Sequence, residues 1–119
     1  MENTQIKKVY NLGERTAVFA SEVFKYVNGL PKNIVNIEIS KQVVRSAGSI
    51  GANYIEAEDP LGKKDFYLHM KISRKEAKET TYWLRLSEPG SALSDKKNSL
   101  IRESIELMNI FGAIVKKSR

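Results

Sequence analysis

Apolar side chains recur at three- and four-residue intervals over most of this chain, and no stretch alternates with the two-residue period of a half-buried strand. The clearest run is Gln42 to Ala57, QVVRSAGSIGANYIEA. At about 100° per residue, Ile39, Val43, Ser46, Ala47, Ile50, Asn53, Tyr54 and Ala57 share one broad face, the stripe of a helix packed on a core. Val44, Gly48, Gly51 and Ile55 gather on a second face. A glycine inside a helix costs roughly 1 kcal/mol relative to alanine, so this pair implies close approach of another backbone. Gln42, Arg45, Ser49 and Glu56 form a third, polar strip, able to pair with another helix or with a second copy of the chain.

Breaks in the period divide the chain. Residues 1–13 show no clear period and end at Gly13, so they read as an N-terminal arm, with Ile6, Val9, Tyr10 and Leu12 able to dock on the body. A first helix is expected over about 14–28, with Ala17, Ala20, Phe24 and Val27 facing inward, Phe19 and Val23 beside them, and Gly29 and Pro31 as its stop. Asn36 is the candidate cap of a second helix over about 37–58. Asp59-Pro60-Leu61-Gly62 is a turn signal leading to a third helix over about 63–87, whose stripe is Phe66, Met70, Ser73, Ala77, Thr80 and Leu84. Pro89-Gly90 breaks the chain again, and Ser94 or Asp95 can cap a fourth helix over about 95–117. Its inward stripe is Leu100, Ile101, Ser104, Leu107, Met108, Phe111, Ile114 and Val115, and Lys116, Lys117 and Arg119 complement the negative end of its dipole. Short connections between such helices fit a single all-α domain over residues 1–119, an antiparallel up-and-down four-helix bundle.

Composition narrows the class further. At 119 residues, 41% hydrophobic and 29% charged, the chain matches a soluble globular domain with one core. It contains no cysteine, which excludes disulfides and thiolate metal sites and makes the cytoplasm the expected location. No window approaches the ~20 apolar residues of a membrane span, and the N-terminus is not a signal peptide, so no membrane partner is expected.

Catalytic chemistry finds few residues to use. His69 is the single histidine, without a second ligand of its kind. There is no GxSxG turn, no phosphate-cradling GxxxxGK[ST] and no GxGxxG after a strand. A two-metal bundle site would draw on Glu56, Glu76 and Glu79, yet the Glu-x-x-His pair of that template is absent. The expectation is a protein that is not an enzyme and takes no cofactor or metal.

The formal net charge of +6 points to an anionic partner, and the third helix says where. Lys64, Lys71, Lys75, Lys78 and Arg85 occupy one of its faces, with Arg74 at the edge and Tyr82 among them. Such a row can follow the phosphates of RNA or DNA while Tyr82 stacks on a base; the alternative is a merely solvated face. A second strip on the same helix, Leu68, Ile72, Trp83 and Leu86, is apolar and interrupted by Glu76 and Glu79, the composition of a contact surface. The expected subunit interface therefore comprises Arg45, Gly48, Gly51, Glu56, Ile72, Glu76, Glu79 and Trp83, with Glu76 or Glu79 meeting an arginine such as Arg45 across the boundary. The alternative is that the arm, through Val9 and Leu12, covers Trp83 within one chain.

QVVRSAGSIGANYIEAE, followed by KKDFYLHMKISRKEAKETTYWLRL, resembles the small bacterial four-helix-bundle proteins related to those encoded in intervening sequences of the large-subunit ribosomal RNA gene. The resemblance runs from about Leu12 to Phe111. It rests on Arg45-Ser46, Ser49-Ile50, Ala52-Asn53 and Glu56-Ala57, then Asp65-Phe66, Lys71, Glu76-Ala77, Glu79-Thr80 and Trp83-Leu84, with GERTAVFA resembling the first helix of one branch. It implies a cytoplasmic bundle that assembles as a ring, most often a homopentamer, with no established enzymatic activity. A more distant relation is the accessory protein of diversity-generating retroelements, a basic pentameric bundle thought to bind nucleic acid and a reverse transcriptase. Where the commonest family pattern reads NIAEG, this chain reads NYIEA from Asn53. The combined expectation is a non-catalytic homo-oligomer, a pentamer by resemblance, that binds nucleic acid through a basic face. The alternative is a scaffold whose partner is a second protein.

Overall fold

Asn11 starts the first helix: its side chain accepts a hydrogen bond from the Glu14 amide at 3.0 Å, satisfying one of the donors that a helix start leaves free. The computed structural model describes residues 11–118, all of them in helices, turns or connections, with no strand among the described residues. The helices are α1 (Leu12–Asn28), α2 (Ile34–Glu58), α3 (Lys63–Leu86) and α4 (Ser94–Lys117), the last preceded by a 3₁₀ turn over Ser91–Leu93. Ile6, Val9, Tyr10 and Arg119 lie outside the described residues.

The helix starts depart from expectation, each for a local reason. Gly13 is tolerated inside α1 because Asn11 supplies the cap, so the helix takes in the end of the expected arm. The cap of α2 is Asn33, which accepts from the Asn36 amide at 2.9 Å. Asn36 is instead a buried residue of the first turn, and its amide bridges to the connection after α3. It donates to the carbonyls of Pro31 and Glu88 and accepts from the Glu88 amide, each at 2.9 Å. Neither Ser94 nor Asp95 caps α4, since the preceding 3₁₀ turn already shapes the approach and no side-chain cap bond forms. Gly90, at φ +73°, makes the turn that precedes it.

Cross-helix partners fix the topology. Going along α2 from Ser46 to Ile50 to Asn53, the partners on α3 step backwards: Thr80, Ser73, His69. Along α4, Lys97 bonds the carbonyl of Arg85, Ser104 the hydroxyl of Thr81, and Gly112 lies against Arg74. From α1, Arg15 reaches Glu103 and Glu22 reaches Lys96. Each adjacent pair is thus antiparallel, and α1 touches α4 most lightly.

The core lies where these helices meet and is led by Val23, Tyr26, Val43, Ile50, Leu84, Leu107 and Phe111. The stripes expected for α2, α3 and α4 face inward. That of α1 is rotated in part: Phe19, Ala20, Val23 and Tyr26 are buried and Val27 packs against the core as expected, while Ala17 is exposed and Phe24 is 38% exposed. The rotation places Arg15 beside the α4 carboxylates and lets the Tyr26 hydroxyl meet that of Ser87 at 2.6 Å. Small polar residues fill the helix seams and are all paired, for example Thr80 donating to Ser46 at 2.8 Å and Ser73 donating to the Ile50 carbonyl at 3.0 Å.

The expected close approach at the α2 glycines occurs inside the chain. A Cβ at Gly51 would stand 2.8 Å from Thr16 Oγ1, so α1 and α2 touch there as only glycine permits. Gly48 also faces α1, but its nearest neighbour is Phe24 at 4.0 Å. Gly51 is therefore taken by α1 rather than by a second copy.

Candidate nucleic-acid interface

Charge on α3 is sorted by side. Glu76 and Glu79 turn toward α2. Glu76 takes two hydrogen bonds from Arg45, at 3.1 and 3.3 Å, and Glu79 takes a third from the same guanidinium. Arg45 is held above its ordinary value first by the bond to Glu76, then by that to Glu79. For Glu79, burial pushes its carboxyl upward, but the bonds from Trp83 Nε1 and Arg45 outweigh it and the net shift is downward. The expected pairing of Arg45 with Glu76 or Glu79 across a subunit boundary is thus corrected: both are satisfied within one chain, because antiparallel packing sets Arg45 opposite the fourth and fifth turns of α3.

This pairing belongs to a longer polar seam. Ser49 donates to Glu76 at 3.2 Å, Asn53 donates to Ser49 at 2.9 and 3.0 Å, and His69 Nδ1 meets Asn53 Oδ1 at 3.0 Å. His69 Nε2 lies 3.3 Å from Asp65. The histidine is thereby a structural link between α2 and α3. Among the described residues no group of His, Asp or Glu side chains is arranged to hold a metal ion. Of the other expected interface residues, Glu56 is exposed, Ile72 half-buried, and Trp83 half-buried against the core, its ring edge-packed by Tyr82 at 5.0 Å.

With the acids drawn to one side, the opposite side of α3 is left cationic. Lys64, Lys71, Arg74, Lys75, Lys78 and Arg85 are all exposed, and none has a carboxylate partner among the described residues. Lys71, Arg74, Lys75 and Lys78 line an open groove of about 810 Å³ between α3 and α4; Lys64 and Arg85, at the two ends of the helix, do not. The Lys71 ammonium lies over the Tyr67 ring, 5.2 Å from its centre. Arg74 runs across Gly112, where a Cβ would come within 3.5 Å of its chain.

One cation of the groove escapes a reading of α3 alone. Lys116 lines it from α4, and in the sequence it serves only as a charge at a helix end. The signal that finds it is the short α3–α4 connection, which brings the last turns of α4 beside the first half of α3. Among the described residues no carboxylate lines the groove, whose apolar lining comprises Leu68 and Ile72 from α3 and Met108 and Ala113 from α4 beside Gly112.

The fold and this face together define a small, basic, all-α protein with an exposed cationic groove. Its chain belongs to the family of the 23S rRNA-intervening sequence protein, whose pattern it matches over residues 8–113. The crystal structure of a protein of unknown function from the S23 ribosomal protein family of Bacteroides thetaiotaomicron superposes with a TM-score of 0.72. The two are 30% identical, and the match covers 92% of this chain and 98% of the other. No curated protein matches the chain. No described helix is long and apolar enough to cross a membrane.

Proposed function

We propose that this protein is a non-catalytic, cytoplasmic, self-associating bundle that binds RNA or DNA through the basic face of α3. The observation that carries the reading is the groove in which Lys71, Arg74, Lys75, Lys78 and Lys116 converge without an opposing carboxylate among the described residues. Unpaired cations on a shared concave surface favour a polyanion, since each phosphate contact releases condensed counterions. Membership in the family of the 23S rRNA-intervening sequence protein is in keeping with nucleic acid as that polyanion. Fluorescence anisotropy with RNA and DNA at 50 and 200 mM salt tests the reading. Binding that weakens steeply with salt supports it, and no binding to either at 50 mM overturns it.

Self-association is the second half of the proposal, with a ring, a homopentamer, as the form the family resemblance implies. It is supported by apolar side chains left open on α2: Ile37 at 47%, Val44 at 38% and Ile55 at 59% exposure lie on the same side of the helix as Gly48. With Phe24 of α1 beside Gly48, they form a face suited to a second copy of the chain. Light scattering is expected to give a mass several times the 13.5 kDa of the chain. A strict monomer at micromolar concentration rejects the assembly.

A further inference from the structure

The groove between α3 and α4 carries a more specific message than its charge, and it rests on the nucleic-acid reading above. We infer that it is built for a single strand, with phosphates on its cations and bases against its apolar lining, rather than for a duplex.

Shape is the first argument. A duplex is met by convex elements, a helix or ribbon that enters its major groove, or by a flat basic surface along its backbone. Here the cations stand on both sides of a concavity, Lys71, Lys75 and Lys78 on α3 and Lys116 on α4. A paired duplex keeps its bases stacked inside and can offer such a depression only its phosphate ridge. A single strand has base faces to bury.

The floor is the second argument. Beside the cations the lining is mainly apolar, and Leu68, which forms part of it, is 52% exposed. Phosphate binding alone gains nothing from an exposed leucine, whereas an unstacked base covers it and removes apolar area from water. Aromatic groups reinforce the pattern. Tyr82, 56% exposed, follows Lys78 by one helical turn on the same side of α3, and its ring is braced edge-on by Trp83. It offers a fixed platform where a strand leaves the groove.

Along α3, Lys71 to Lys78 spans roughly 10 Å at the helical rise. That is room for a few nucleotides at the rim, so affinity is expected to come from a short stretch of strand and to depend little on sequence.

The test measures anisotropy at 50 mM salt with a labelled 20-nucleotide RNA, the DNA of the same sequence, and the duplex of each. At least one single strand is expected to bind ten-fold or more tightly than its duplex; the two single-strand arms separate RNA from DNA. Leu68→Ser and Tyr82→Ala are expected to weaken single-strand binding about three-fold or more with the salt slope unchanged, while Lys75→Gln lowers that slope by about one. Circular dichroism confirms that each variant keeps its helices, as their surface positions predict. Equal affinity for strand and duplex, or no effect of Leu68→Ser and Tyr82→Ala, overturns this inference and leaves the nucleic-acid reading standing. Failure of every probe to bind overturns both.

Discussion

Arg15 and Glu103, 88 positions apart, meet through two hydrogen bonds of 2.8 and 2.9 Å that tie the first helix to the last. Arg15 is only 7% exposed and also contacts Glu106 at 2.9 Å. The bond to Glu103 is the foremost cause holding its guanidinium above the ordinary value, against the opposing effect of burial. Because α1 and α4 lie together over the least length of any neighbouring pair, this polar latch carries much of their register. Glu103→Ala is expected to cost about 2 kcal/mol, since it leaves a largely buried cation with only the exposed Glu106. Arg15→Met, which keeps an apolar stem and removes the charge, is expected to cost less. Urea midpoints of the two variants check the order.

Asn36 makes a second non-local tie. Its amide satisfies the Pro31 carbonyl and both backbone groups of Glu88, so Asn36→Ala strands three polar groups around a buried site. A loss of about 2–3 kcal/mol is expected in chemical denaturation. Hydrogen exchange should show the Glu88 amide losing protection first.

The two α2 glycines are expected to respond in opposite directions. Gly48→Ala meets nothing closer than 4.0 Å and gains helix propensity, so it should stabilise by up to about 1 kcal/mol. Gly51→Ala drives a methyl against Thr16, whose hydroxyl is committed to the Leu12 and Gly13 carbonyls and whose backbone lies behind it. It should destabilise by about 1–3 kcal/mol. Thermal melts of both variants decide the matter.

Stability should fall at both ends of the pH scale. Burial raises Tyr26 above its ordinary value of 10.0, opposed by its bond to Ser87, and Tyr54 is raised by burial and by Glu58. A raised tyrosine keeps its proton more firmly in the folded chain, so its contribution is complete below pH 10 and is lost as pH climbs beyond it. Glu22 lies below its ordinary 4.5, chiefly through its bond from Lys96 and then that from Lys25, and Glu79 is also lowered. These carboxylates stabilise the fold above pH 4.5, and that stability drains away as pH falls through their lowered values. Melting temperatures from pH 2 to 11 should show both losses, and Tyr26→Phe should flatten the alkaline one.

Much of the fold is readable in the pattern of side chains. The inward stripes of α2, α3 and α4 follow from spacing alone because those helices are long and bury a single apolar side. The stripe of α1 does not, because this shorter helix carries two overlapping apolar series. Phe19, Val23 and Tyr26 prevail over Ala17 and Phe24 only when Ser87 and Glu103 are in place to receive Tyr26 and Arg15. The basic row of α3 is equally visible as periodicity, while its meaning as a groove depends on Lys116, Met108 and Ala113 from another helix.

The sequence by itself determines helix number, the inward faces of α2, α3 and α4 and the separation of acid from base on α3, since these are local properties of 3.6-residue periodicity and of residue type. Tertiary structure alone decides partnership. It assigns Arg45 to Glu76 and Glu79 of the same chain and Gly51 to Thr16, and it turns a row of lysines into one wall of a cleft. The physical reason is distance along the chain: these partners are brought together only when antiparallel helices pack, and nothing in a local period records which side chain will stand opposite.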